Sequence, residues 1–244
     1  MKSKKTGLMD MHCHLLFGVD DGAKTIEDSM KMLETAYNDG IRAMILTPHY
    51  HPRRGMAHYA DVINNFQELK YAASRNFPDM KLFLGREVYF RSDITENEQL
   101  MEELKLCNTN NILVEFSTSV DSHYLKSAVS NLMIDGYQPV IAHIERYGCV
   151  VKDREIAREL KMMGAYIQIN ADSLVSGGFV IKQFCKKLLK NGFVDFIGSD
   201  AHDCTNRPPV LSKCYGYIQN KFGENIADRL MCDNPMRIVN DELD

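Results

Sequence analysis

A chain of 244 residues, 45% of them hydrophobic, has room for a sizeable core and for one large α/β domain or two small ones. Net charge is −4 and the isoelectric point is near 6.1. No long basic run appears, and the small cluster Lys2, Lys4 and Lys5 sits in an expected disordered tip, so a broad phosphate footprint on nucleic acid is disfavoured. The seven scattered cysteines form no C-x-x-C pair. They predict reduced thiols in a cytosolic setting. No apolar stretch of signal-peptide length follows the N-terminal lysines, and no segment approaches the ~18 apolar residues of a membrane span. The chain therefore reads as a soluble cytoplasmic protein, one that a partner could bring to a membrane.

From the start, strand-like runs alternate with helix-like ones. Leu8–Met11 is followed by a helix over Thr25–Asn38, with Ile26, Met30, Leu33 and Tyr37 at helical spacing and a capping-box pair in Thr25 and Asp28. Then come strand Ile41–Thr47, helix Tyr59–Ser74, strand Lys81–Gly85 and helix Glu96–Leu106. Strand Asn111–Val114, helix His123–Asp135, strand Pro139–Ala142 and helix Asp153–Met163 continue the series. A strand ending in Asn170, helix Phe179–Asn191, strand Phe193–Ser199 and a helical tail over Phe222–Leu243, interrupted near Asn234-Pro235, complete it. Asp39-Gly40, Asp135-Gly136, Met163-Gly164 and Asn191-Gly192 each put a capping glycine between a helix and a strand, the mark of repeated β–α units. No linker divides the chain, so a single domain over residues 1–244 is expected. The predicted class is α/β, as a distorted seven-stranded β/α (TIM-like) barrel, with an open doubly wound sheet as the weaker alternative.

Six of the seven strand-like runs end in a metal-binding side chain. In chain order these are His12 and His14, then His49, Glu87, Glu115, His143, and Asp200 with His202. Strand alternation puts His12 and His14 on one face and turns Cys13 away. Asp20-Asp21-Gly22 reads as a turn that adds one carboxylate, with Asp21 favoured over Asp20. Pro48 holds His49 at a strand rim, whereas His51 and His58 lie deeper in a loop and are expected to have no ligand role. A carboxylate between Val114 and Phe116 is costly to bury unpaired and needs a cation or donors nearby. Five histidines and at least three carboxylates exceed what one catalytic zinc needs, which implies two or three divalent ions. Thiolate-free N/O donors suit manganese, iron or zinc. Arg146 offers planar donors for phosphate, or else pairs with Glu145; Arg207 is a second anion contact, or else a helix start. Clustered cations acidify water, so phosphate-ester hydrolysis follows, with Asp200, His202 or water as the source of any proton. A cysteine mechanism is excluded by spacing, since no cysteine has an arginine six positions later.

His12-x-His14, Asp21, His49, Glu87, Glu115, His143 and Asp200-x-His202 resemble, in order, the motifs of the polymerase and histidinol phosphatase (PHP) superfamily. Phe17–Gly22, Pro139–Tyr147, Gly198–His202 with Arg207-Pro208-Pro209, and Asp233-Asn234-Pro235 resemble more closely its tyrosine phosphatases encoded with bacterial capsule and exopolysaccharide genes. The resemblance implies a distorted barrel with three metals, often manganese. It implies His12, His14, Glu87 and Asp200 at one ion, Glu87, Glu115 and His143 at a second, and Asp21, His49 and His202 at a third. It also implies hydrolysis of phosphotyrosine in proteins, with a cognate bacterial tyrosine kinase of polysaccharide assembly as substrate. The alternative within the superfamily is a small-molecule phosphatase such as one acting on histidinol phosphate.

Overall fold

The computed structural model describes residues 7–239. The expectations for Lys2, Lys4 and Lys5, and for the last residues of the helical tail, lie outside them. Nine strands are present among the described residues: β1 (Leu8–Cys13), β2 (Ile41–Leu46), β3 (His49–Tyr50), β4 (Lys81–Leu84), β5 (Glu87–Tyr89), β6 (Asn111–Glu115), β7 (Gln138–Ile141), β8 (Tyr166–Asn170) and β9 (Phe196–Gly198). All pair in parallel. One sheet has the order β1-β2-β4, the other β3-β5-β6-β7-β8-β9.

The expected count of seven strands is thus corrected to nine in two sheets. The reason is local. The second run breaks at Thr47-Pro48 and the third at Gly85-Arg86, so each contributes one strand to each sheet. Proline has no N–H for the ladder, and glycine weakens a strand interior. Chain continuity still bridges the breaks, because Gly85 N donates to Leu46 O and Glu87 N to Pro48 O. At the far edge Cys13 forms a parallel bridge to Ala201, and His14 N donates to Ala201 O at 2.8 Å. The result is a curled parallel sheet whose first and last runs meet at their C-terminal ends.

The helices follow their sequence signals. Thr25 caps Ile26–Asn38 with both bonds of the capping box, and Gly40, Gly136, Gly164 and Gly192 all have positive φ where the chain turns into a strand. Helix Ser212–Phe222 was not foreseen. The expected interruption of the tail near Asn234-Pro235 takes the form of a widened turn. A π-turn over Arg229–Asp233 precedes Pro235, and Asn234–Val239 continues as helix, so the missing proline N–H is absorbed by widening one turn.

Two apolar layers result from strand alternation. Met44, Leu46, Ile112, Val114, Ile167 and Ile169 face outward and pack against helices. Inside the curl, Met9, Ile45, Phe83, Leu113, Val140 and Phe196 form a smaller cluster, closed by Ile238 and Val239 of the tail. This inner cluster occupies the space beneath the strand ends and pushes the polar residues to one rim.

Candidate metal centre

The inner apolar face gives way to chemistry at the C-terminal ends of the strands. His12, His14, His49, Glu87, Glu115, His143 and Asp200 are all buried there. Two of these residues hold left-handed backbone, His143 at φ 32° and Asp200 at φ 55°. Non-glycine residues seldom adopt that region, and strain of this kind collects at functional sites.

The donor atoms converge. His12 Nε2 and His14 Nε2 are 3.3 Å apart. Glu87 reaches both, with Oε1 3.3 Å from His12 Nε2 and Oε2 3.2 Å from His14 Nε2. Asp200 Oδ1 lies 3.6 and 3.5 Å from the same two nitrogens. On one side His143 Nε2 is 2.7 Å from Glu87 Oε1 and 3.9 Å from Glu115 Oε2. His49 Nδ1 sits between the two glutamates, at 3.0 and 3.3 Å. On the other side Asp21 Oδ1 is 3.4 Å from both His49 Nε2 and His202 Nε2. These contacts make four overlapping groups whose ligand atoms lie within 4.8 Å of one another, drawing on nine residues in all. They are the nine singled out in the sequence. Each group has the size and the N/O chemistry of a divalent-cation site.

The donors fit an ion better than they fit each other. His49 Nδ1, Glu87 Oε2, Glu115 Oε1 and His202 Nε2 are buried side-chain atoms with no aligned hydrogen bond, although each has an oppositely polar atom within 3.4 Å. Close approach without alignment is what lone pairs aimed at a shared central point produce. Buried polar atoms otherwise find partners.

Without a cation, protons balance the charge. Burial would lower the His14 value, but the carboxylates of Asp20, Asp200 and Glu87 reverse the sign and hold it well above the ordinary histidine range. His12 is raised by the same contest, burial against Glu87 and Asp200. Burial would raise Glu87 and Asp200, yet His12 and its neighbours hold both well below the carboxylate range. His202 differs: burial and His14 lower it, which leaves its imidazole neutral and its lone pair free.

The two adjacent aspartates divide their work. Asp20 Oδ2 is 2.8 Å from His14 Nδ1 and accepts from His49 N at 2.9 Å, while Oδ1 accepts from Gly22 N. It therefore orients the His14 imidazole from behind, a common arrangement around metal-binding histidines, and anchors the His49 backbone. Asp21 faces the donors. Arg146 Nη2 and Arg207 Nη2 both lie on Asp200 Oδ2, at 2.8 and 2.6 Å, leaving Oδ1 for the imidazoles. Of the expected alternatives, a salt bridge of Arg146 to an acid does form, but to the buried Asp200. Arg207 lies in a loop rather than starting a helix, and Glu145 is buried with its Oε1 accepting from Asn170 N. His51 and His58 stay out of the donor groups, as expected; His51 instead accepts from Arg53 N and packs its ring edge against Tyr89.

The sequence matches the family model for capsular polysaccharide synthesis proteins, CpsB/CapC, over residues 8–240. The chain belongs to the CpsB/CapC family. It is 33% identical over 240 residues to the tyrosine-protein phosphatase CpsB of Streptococcus agalactiae serotype V, covering 95% of this chain and 98% of that one. It is 32% identical over 244 residues to the CpsB of Streptococcus pneumoniae, covering 97% and 100%. Its fold superposes with a TM-score of 0.86 at 27% identity, over 95% and 94% of the two chains, on a structure from a study of YwqE from Bacillus subtilis and CpsB from Streptococcus pneumoniae, described as unique metal-dependent tyrosine phosphatases. A more distant likeness, to a histidinol phosphate phosphatase of Lactococcus lactis, has a TM-score of 0.55 at 16% identity over 80% and 86%, and concerns the fold alone.

In this CpsB/CapC chain several supporting residues escaped the sequence reading. Asp10 is fully buried; it accepts from Ser199 N and Ser199 Oγ, and burial pushes its carboxyl up to about 6. It thereby ties the first strand to the turn that carries Asp200. Gln168 Oε1 accepts from His143 N and lies 3.2 Å from His12 Nδ1, and Asn170 Nδ2 donates to Asp200 Oδ2. Arg86 is buried and donates to His49 O. Arg54 Nη1 is 3.3 Å from Glu115 Oε2. The only signal for any of them was a polar side chain inside an apolar strand, visible at Asp10, Gln168 and Asn170.

Proposed function

We propose that the protein is a metal-dependent tyrosine phosphatase that hydrolyses phosphotyrosine in proteins. The observation that carries this reading is the convergence of nine nitrogen and oxygen ligands beside two half-exposed arginines at one strand-end rim. The two sheets are read as a distorted TIM-like barrel closed through Cys13 and Ala201, and the chain as a single domain.

His12, His14, Glu87 and Asp200 would hold one divalent cation and Glu87, Glu115 and His143 another, with His49 reaching both glutamates. Asp21, His49 and His202 would hold a third. Two or three ions fit, with manganese the first candidate and iron or zinc the others. When bound, they supply charge neutralisation and the acidity that ionises a water near neutral pH. The residues of the chain do the rest. Arg146 and Arg207 present guanidinium forks to the phosphoryl oxygens, and their present partner, Asp200 Oδ2, marks where that negative charge lies. Asp200 is held ionised and so positions rather than protonates. His202 Nε2 would face the third cation and its Nδ1 lies 3.0 Å from Asp200 O, so neither nitrogen is left to carry a proton to the leaving group. A phenolate leaving group of pKa ~10 needs little general-acid help, which suits a site with few proton donors.

The substrate is read as a tyrosine kinase of capsular polysaccharide assembly, reached in the cytoplasm or at the membrane where that kinase works. An oligomer of the phosphatase is compatible with this placement. None of the described helices is long and apolar enough to cross a membrane. The test compares kcat/KM on a phosphotyrosine peptide and on histidinol phosphate, with manganese and with chelator. A clear preference for the metabolite, or activity indifferent to chelation, would overturn the reading.

A further inference from the structure

Two of the cavities that Arg146 lines flank the donor cluster on different sides. The smaller, about 270 Å³, has no aromatic lining; Arg207, Lys213, Asn206, Ser173 and Ser176 face it. The larger, about 680 Å³, lies between the loop around residues 51–54 and the segment 115–118, with Tyr89, Phe116 and Tyr147 in its walls and Glu115 and His143 at its floor. Its aromatic wall is rigid. The buried Tyr147 hydroxyl donates to Ala142 O and accepts from Phe116 N, and the Phe116 ring meets the Tyr147 ring at 5.8 Å, nearly perpendicular.

The opposite element is built to present a cation. His51 N donates to Gly55 O at 2.7 Å, Gly55 N donates to His51 O at 3.1 Å, and Arg53 N donates to His51 Nδ1 at 2.9 Å, so residues 51–55 form a closed turn. Gly55 lets this turn seat directly on the segment that carries the paired aspartates, since a Cβ there would lie 2.7 Å from Asp20 Cβ and from Val19 O. The turn therefore delivers Arg54 to a fixed point at the cavity. Arg54 Nη1 is 3.3 Å from Glu115 Oε2 and 3.4 Å from His49 Nε2, with the side chain 42% exposed. A pair so loose and so open contributes little to stability, and a structural role does not account for the elaborate turn beneath it.

We infer that the larger cavity is the aryl slot of the site and that Arg54 is a specificity-determining residue whose guanidinium lies against the substrate's phenyl ring. The inference rests on the proposed phosphotyrosine phosphatase function. The ring enters the cavity with aromatic walls, Arg146 spans from that cavity to the phosphoryl group, and Arg54 covers the ring's open face. A planar guanidinium is suited to that stacking and a lysine much less so.

The test uses the full chain loaded with manganese. Titration calorimetry with phenylphosphonate and with inorganic phosphate separates ring from phosphate, and kcat and KM on phosphotyrosine and phosphoserine peptides are measured alongside metal content. Arg54→Ala is expected to weaken phenylphosphonate binding and raise KM for the phosphotyrosine peptide by about three- to tenfold. Phosphate affinity, kcat and bound metal should stay unchanged, Arg54→Lys should fall between, and Lys213→Ala should leave phenylphosphonate affinity as it was. Equal weakening of both ligands, loss of metal, or no change in either constant would overturn the assignment, as would a wild type that binds phenylphosphonate no better than phosphate. If Arg54→Ala does not fold, Arg54→Lys decides by the ratio of the two affinities. A wild type that fails to prefer phosphotyrosine over phosphoserine peptides refutes the proposed function itself, before any variant is compared.

Discussion

The two ends of the curled sheet are made from the same strands and obey opposite rules. At the N-terminal end and through the middle, inward positions are Met9, Ile45, Leu113, Val140 and Phe196, capped by Ile238 and Val239. Two residues along β6 from Leu113 stands Glu115, and one residue past Ala142 stands His143. Within one step along a strand, packing gives way to ligation. The apolar end fixes the rim, and the imidazoles and Arg146 between the carboxylates allow Glu87 and Asp200 to remain ionised close together.

The largest effect should come from breaking the rim at the carboxylate shared between donor groups. Glu87 belongs to two of the donor groups, so Glu87→Ala should lower phosphatase activity by roughly a thousandfold or more and reduce bound metal, measured by mass spectrometry of the purified protein. Arg146→Ala sharpens the division between binding metal and binding substrate. Turnover should fall by about a hundredfold, the scale of a lost oxyanion donor, with metal content intact. A variant that loses metal instead would move Arg146 to a structural role. At the other end, Leu113→Ala should cost about 2–5 kcal/mol in chemical denaturation, while kcat per folded molecule stays near wild type.

The smallest and most graded test is pH. In the metal-free protein the raised His14 value gives stability that is fully present below the ordinary histidine range and is lost as pH rises through the raised value. The depressed Glu87 and Asp200 values give stability present above the ordinary carboxylate range and lost as pH falls through the depressed values. Chelated protein should therefore melt highest between those limits. Metal affinity should rise steadily with pH, because each ion must displace imidazole protons; competition titrations against a chelator measure it. A flat affinity profile would show that the imidazoles are not protonated partners of the carboxylates.

Much of the site was legible because its residues sit at strand ends, where a short sequence pattern and a position in space coincide. His12, His14, Glu115 and His143 could be found this way, since each follows an apolar run. The choice of Asp21 over Asp20 was less secure, because two adjacent carboxylates look alike until one is seen behind His14 and the other in front of His202. The extra strand breaks at Thr47-Pro48 and Gly85-Arg86 carried a visible signal in Pro48 and Gly85, but which sheet each half would join depended on neighbours far along the chain. Arg54 and Arg86 were hidden for the same reason. Their partners, Glu115 and His49, are distant in sequence, and a surface-type residue in a loop announces nothing.

The left-handed backbone at His143 and Asp200 has a consequence for how this protein can change. Glycine at either place would relax the main chain by about 1 kcal/mol or more while deleting a donor the centre depends on. Durability and catalysis thus pull in opposite directions at two known positions. A descendant freed from its chemical task should drift toward glycine there, gaining thermal tolerance as its catalytic power decays.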